Sequence, residues 1–168
     1  PTLLSNGFGA HRIEGIGDKH VPWIHNVKNT DMVMAIDDEV PMQMIRLFNE
    51  PEGKKYLAQM GVPQGLIDQL DLIGISGAAN IASAIKMAKW YEWGEGDVVV
   101  TVLTDSMELY GSRLSELTEE RGEYTARDAA VSYHQYIQGL STDYVEELTY
   151  PDRKRGHNLK YYTWVEQQ

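Results

Sequence analysis

The sequence predicts an α/β fold whose sheet is incomplete within these 168 residues. Three observations predict it. Residues 98–103, Val-Val-Val-Thr-Val-Leu, form an apolar, β-branched run with almost no alternation, the pattern of a strand covered on both faces. Ala78, Ile81, Ala82, Ile85 and Ala88 recur at helical spacing. Only two runs, 32–36 and 98–103, read as convincing strands, both buried, whereas stable sheets usually hold three or more. The chain is therefore expected to be part of a larger sheet. Starting at Pro1 without an initiator methionine, it reads as a fragment, a processed chain or one subunit of a complex.

In chain order, the first 29 residues are rich in Gly, Asn and His, show no sustained period and read as a loop. The strand at 32–36 is followed by Asp37 and Asp38 as caps. A helix over 40–48 comes next, with Pro41 in its first turn and Met42, Ile45 and Phe48 on one face. Short helices are expected at 52–60, closed by Gly61, and at 63–70. Gly74-Ile-Ser-Gly-Ala-Ala-Asn80 opens the helix that carries the Ala/Ile stripe to about Trp93, and Gly94-Glu-Gly96 ends it. After the run at 98–103, a helix is expected over 107–117.

Beyond Thr118 the composition shifts, and seven of the ten tyrosines lie there. Residues 1–117 are read as one part of a larger domain and 118–168 as a helical, Tyr-rich C-terminal extension. Thr125 caps a helix to about Leu140, and Ser141 or Thr142 caps a shorter one. Pro151 starts an irregular basic segment, with Arg153-Lys-Arg155 as a solvated loop, and 161–165 is a candidate strand. Tyrosine and tryptophan are enriched at interfaces. The extension is thus expected to cover the main domain, to form a subunit contact, or to pack into the core.

Composition narrows the function classes. A hydrophobic fraction of 42% and a charged fraction of 24% suit a soluble globular chain. No apolar run approaches a bilayer's thickness, and the first residues lack the pattern of a signal peptide. With no cysteine, disulfides and thiolate catalysis are excluded, which fits a cytoplasmic protein. A net charge of −10 argues against nucleic acid and anionic membranes as partners. His11, His20 and His25 with Asp18 match no ligand spacing, so no metal is expected. Asn6-Gly-Phe-Gly-Ala-His11 lacks the third glycine and preceding strand of a dinucleotide turn.

Three turns bear on chemistry: Gly15-Ile-Gly17, Gly74-Ile-Ser-Gly77, and Thr104-Asp-Ser106 at the end of the late apolar run. Ligands of open α/β sheets bind beyond the carboxyl ends of strands, so Ser106 is placed to touch a cofactor. It is equally a good helix cap. Ser76 and Asn80 read as structural, and Asp18 and Lys19 as exposed loop charges or as groups meeting a substrate's ammonium and carboxylate.

In their order and spacing, these turns resemble a known pattern. Glu14-Gly-Ile-Gly17 with Val21-Pro22, Ile36-Asp-Asp-Glu-Val40, Gly74-Ile-Ser-Gly-Ala-Ala-Asn80 and the 99–110 segment are similar to the C-terminal half of fold-type II pyridoxal-phosphate enzymes. Within that superfamily, which includes the β subunit of tryptophan synthase, the likeness is greatest to cysteine synthase and cystathionine β-synthase. The resemblance covers residues 1–114. It implies a three-layer α/β/α domain with a central, mostly parallel sheet, incomplete here. It implies pyridoxal 5′-phosphate as cofactor, a small amino acid as substrate and a homodimer as assembly.

Carried over to this chain, the resemblance gives Ser106 the hydrogen bond to the pyridine nitrogen. It places Gly15 and Gly17 in the loop beside cofactor and substrate. It implies β-replacement or β-elimination on a serine- or cysteine-type amino acid, with a threonine-dehydratase-like deaminase or a non-catalytic relative as alternatives. Asp18-Lys19-His20 departs from the family's loop, which leaves the substrate open. The family's Schiff-base lysine and its phosphate-binding loop belong to the N-terminal half of the enzyme. No lysine here has the required context, so this chain contributes no catalytic residue and alone is expected neither to hold the cofactor covalently nor to turn over.

Overall fold

The computed structural model describes residues 7–13 and 20–166. Nine elements organise it: β1 (Met32–Met34), α1 (Glu39–Asn49), α2 (Pro51–Gln59), α3 (Gln64–Ile67), α4 (Ile75–Trp90), α5 (Gly111–Arg121), α6 (Ala126–Tyr133), β2 (Val145–Glu147) and α7 (Tyr150–Tyr161). Short 3-10 turns and two π-helical turns, His134–Gln138 and Tyr162–Glu166, link or extend them. Among the described residues, no helix is long and apolar enough to cross a membrane.

The centre is α1. Glu39, Gln43 and Arg46 share one side of it, and Val40, Met42, Met44, Ile45, Leu47 and Phe48 spread an apolar face over most of the rest, too wide for a single neighbour to cover. Met42, Met44, Ile45 and Leu47 are fully buried. They pack against Ile75, Ala78 and Ala82 of α4, Leu57 of α2, Ile67 of α3 and Ala129 of α6. The small residues opening α4 let the two helices approach closely. Asp37 accepts the Glu39 N–H at 2.9 Å, so it starts the helix. Asp38 does not cap, because its carboxylate is taken by the Arg12 backbone N–H at 2.9 Å and Nε at 3.3 Å.

Arg46 is only 4% exposed, although it lies on α1. Its guanidinium donates to the Gly122 carbonyl at 2.9 Å and covers the Tyr124 ring at 4.8 Å. Burial pushes the Tyr124 phenol up to about 12. Glu39, at the start of α1, receives Arg121 in a two-pronged ion pair, Arg12 at 3.0 Å and Gln43 at 2.7 Å. Arg121 above all, then Gln43 and Arg12, hold its carboxyl down at about 2 against the opposing effect of burial.

The C-terminal extension lies against this core. Tyr124, Ala129 and Leu140 belong to the same buried cluster as α1. Thr125 and Asp128 form a capping box that starts α6. Basic side chains tie the extension down through main-chain carbonyls. Lys86 donates to Ala35 and Asp143 at 3.2 and 2.7 Å, and Lys89 to Gln138 and Leu140 at 2.6 and 2.9 Å. Lys160 donates to Trp23 and His25 at 3.1 and 2.8 Å while facing the Trp23 ring.

Several expectations are corrected. The described sheet is two antiparallel strands, β1 with β2, in the register Met32↔Glu147, Val33↔Glu146 and Met34↔Val145. It is only half-buried, and β2 occupies the place where Ser141 or Thr142 was expected to cap a helix. There the Ser141 hydroxyl bonds Asp143 at 2.8 Å, and Tyr144 takes a left-handed φ of 59°. Residues 98–103 are not a buried strand. They carry no strand assignment, and Val98, Val100 and Val102 are 82, 86 and 65% exposed. A strand needs a partner's ladder, and the described residues offer this run none.

The stretch expected to be irregular after Pro151 is helix α7, started by Pro151 in its first turn and by a Thr149–Asp152 capping box. The expected strand at 161–165 continues that helix as a π-turn, with the Thr163 hydroxyl bonding back to Leu159 at 3.0 Å. Strand-forming residue types lose there to a helix already nucleated. Arg153 is no free loop cation, since it reaches Asp31 at 2.9 Å.

Two outcomes follow for stability. A Cβ at Gly53 would lie 2.2 Å from the Leu47 carbonyl oxygen. Alanine is ordinarily worth about 1 kcal/mol over glycine inside a helix, but here G53A should lose about 2 kcal/mol in urea unfolding, because backbone cannot yield; a gain would refute the close α1–α2 approach. For Glu39, the folded pKa of about 2 lies below the ordinary 4.5, so its contribution is complete above pH 4.5 and is lost as pH falls towards 2. E39Q should therefore cost about 1–2 kcal/mol near pH 7, allowing for partial exposure. The deficit should shrink on acidification, and a difference independent of pH would count against the network.

Candidate functional site

The site is built where the start of α4 meets the end of the 98–103 run. Gly74, the residue before α4, is extended (φ −83°, ψ −169°) and has no side chain with which to cap the helix. The first N–H groups of any helix lack internal partners. Here Asp105 supplies them from 28–29 residues away: Oδ2 accepts the Ser76 N–H at 2.9 Å and Oδ1 the Gly77 N–H at 2.8 Å. The Gly74 N–H in turn donates to the Asp105 carbonyl at 3.0 Å. A little further along α4, the Asn80 amide donates to the Val102 carbonyl at 2.8 Å. A Cβ on Gly74 would lie 2.6 Å from the Asp105 carboxyl carbon, so glycine is what lets this seat form.

Ser106 follows directly. Its backbone is extended (φ −123°, ψ 162°), and it precedes the 3-10 turn Met107–Leu109, whose Met107 is buried in the core, as is Tyr110 just after. The residue is half-buried. Its hydroxyl does not cap the turn and makes no hydrogen bond among the described residues. The position is that of a cap, but the side chain is left available for another partner. The adjacent acid is withdrawn: the Asp105 carboxylate faces α4 and is occupied on both oxygens.

Gly15, Gly17, Asp18 and Lys19 lie outside the described residues. The chain on either side of them is held. Arg12 is bound to Asp38 and Glu39, Ile13 packs against the core, and His20 forms an antiparallel bridge with Phe8. Ser76 is fully buried in α4, and its N–H is one of the two that Asp105 receives. His25 bonds the Thr30 hydroxyl at 3.0 Å, and the His20 ring lies 5.5 Å from that of Trp164. Lys86, Lys89 and Lys160 spend their ammonium groups on carbonyls, as described above. A cavity of about 70 Å³ lies between α7 and the segment before β1, lined by Val21, Val27, Val33, Leu148 and Leu159. Neither described turn, Gly74–Gly77 nor Thr104–Ser106, contributes to it.

Sequence reasoning missed Asp105. Its role rests on a contact with Ser76 and Gly77, far away along the chain, and residue type alone marks it only as one cap candidate among Thr104, Asp105 and Ser106. The one available signal was the bare start of α4, a helix whose first residues offer no side chain aimed back at their own N–H groups.

The likeness is to cysteine synthases. Over 110 residues the chain is 31% identical to the cysteine synthases of Staphylococcus aureus strains Mu50 and N315, a stretch covering 66% of this chain and 29% of each relative. It is 28% identical to cysteine synthase B of Campylobacter jejuni over 110 residues, 66% of this chain and 30% of that one. The chain thus spans less than a third of the length of the curated relatives it matches. No protein-family model and no solved structure matches it. The relationship supported is to a cysteine synthase-like family of enzymes of amino-acid metabolism.

The seat of the late segment on α4 can be probed directly. N80A removes one hydrogen bond, to an exposed carbonyl, and should cost less than about 1 kcal/mol of global stability. Backbone order over 98–104, read as NMR order parameters, should nevertheless fall while that of α1 is unchanged. Unchanged order there would show that Asn80 does not hold the run.

Proposed function

We propose that this chain is the cofactor-side portion of a pyridoxal-phosphate-dependent enzyme that performs β-replacement or β-elimination on a serine- or cysteine-type amino acid. One observation carries the reading. The chain presents a neutral hydroxyl, Ser106, that engages no described residue, at the end of an apolar run, with the neighbouring carboxylate turned away onto α4. The distant likeness to cysteine synthases supports it.

The donor set fits the cofactor's ring nitrogen. A hydroxyl can hydrogen-bond that nitrogen without protonating it, whereas a carboxylate would hold a proton there. When bound, pyridoxal phosphate supplies the electron sink that acidifies the substrate Cα–H. Ser106 keeps that sink moderate, which favours prompt loss of a β-leaving group over prolonged residence of the charge. Gly15 and Gly17 leave room for a flat ring beside the backbone. Asp18 and Lys19 are the charges in that loop able to meet a substrate's ammonium and carboxylate.

The exposed apolar run at 98–103 belongs with this reading, as the strand that the remainder of the enzyme covers. That remainder supplies the covalent lysine and the phosphate loop, and the assembled enzyme is a homodimer. In the cofactor-loaded protein, S106D should lower kcat for β-elimination roughly 10²-fold, the size of effect expected when one preorganised donor is lost or mismatched. Product analysis should show loss of the β-substituent from a serine- or cysteine-type substrate, giving the sulfide adduct or pyruvate with ammonia. Wild-type rates in S106D would overturn the reading, and 2-oxobutyrate formed from threonine as the main reaction would replace it with a deaminase.

A further inference from the structure

Residues 98–103 have no ladder partner among the described residues, so hydrogen bonds of a sheet do not fix where Ser106 sits. The fixing contacts are one residue away. Asp105 lodges both carboxylate oxygens on the N–H groups of Ser76 and Gly77, and its own carbonyl receives the Gly74 N–H at 3.0 Å. Side chain and main chain of one residue are thus clamped to the same helix terminus, where negative charge is also favoured by the helix dipole. Consecutive Cα atoms are about 3.8 Å apart across a trans peptide, so the seat of Asp105 limits where the Ser106 backbone can lie.

We propose that Asp105 is the positioning residue for Ser106: by seating on the first turn of α4 it aims the hydroxyl and keeps its own carboxylate away from the cofactor ring. The proposal rests on the reading of Ser106 given above. A mere cap would stabilise α4 and do nothing else. A positioning residue acts through Ser106, and so its loss should have no effect where Ser106 is already gone. Gly74 gives an independent handle, because a Cβ there would meet the Asp105 carboxyl carbon at 2.6 Å while the backbone itself (φ −83°) accepts alanine without strain. G74A keeps the acid and evicts it from its seat.

The test uses the complete enzyme, including the part that supplies the covalent lysine, and two readouts besides turnover: the dissociation constant for pyridoxal phosphate and the pH profile of the cofactor's absorbance. S106A should weaken cofactor binding and shift the profile. D105A and G74A should reproduce both changes, with binding weakened about tenfold or more, as expected for loss of orientation. D105N, which retains one acceptor oxygen, should fall between D105A and wild type. The D105A/S106A pair should be no worse than S106A alone. If D105A does not fold, D105N and G74A carry the comparison. Wild-type readouts in D105N and G74A, or a D105A effect that adds in full to S106A, would overturn the proposal and leave Asp105 a structural cap. Wild-type readouts in S106A itself would instead overturn the assignment of Ser106.

Discussion

Most of this structure answers to one constraint, the enclosure of α1. Met42, Met44, Ile45 and Leu47 point in different directions from one helix and are all fully buried. Each is worth about 2 kcal/mol when removed from water, so together they match the net stability of a typical domain. No single neighbour can cover them. Helix α4 takes one side, α2 another, and α6 from the C-terminal extension a third. The extension is tied to the earlier part of the chain because the centre is left wet without Ala129 and Leu140.

Enclosure also explains the polar chemistry around the core. Arg46 sits on the same buried helix, and its charge is met by the Gly122 carbonyl, the Tyr124 face and the Glu50 carboxylate at 3.7 Å. Lys86, Lys89 and Lys160 use long apolar stems to pass along packed surface and end on main-chain carbonyls of loops that have no regular ladder. These ammonium groups do the work that a larger sheet would do elsewhere. At the other end, Arg12 and Arg121 converge on Glu39 at the start of α1.

The candidate site inherits its rigidity from this arrangement. Helix α4 packs on α1 through Ile75, Ala78 and Ala82, so its first turn is a fixed platform. Asp105 docks on that platform, and Ser106 is carried with it. The buried Met107 and Tyr110 anchor the chain again immediately afterwards. The side chain of interest is therefore held between two anchors, although the apolar run leading to it is bare. Residues 98–103 show the converse: a segment whose composition asks for cover and whose valines stay largely exposed among the described residues.

Local patterns were legible where a residue's neighbours in sequence are also its neighbours in space. The helical stripe of Ala78 and Ala82, the apolar face of Met42, Ile45 and Phe48, the first-turn Pro41 and the Thr125 cap all depend on contacts within a turn or two, so the sequence by itself determined them. It also marked the Ser106 turn, through residue types in a particular order. The tertiary structure alone decided that Asp105 caps a helix 28–29 residues away and that β1 pairs with β2. It alone decided that 161–165 is helical and that 98–103 finds no ladder partner among the described residues. Each of those outcomes turns on which distant groups arrive to satisfy a backbone donor or cover an apolar side chain, and spacing along the chain does not encode arrival.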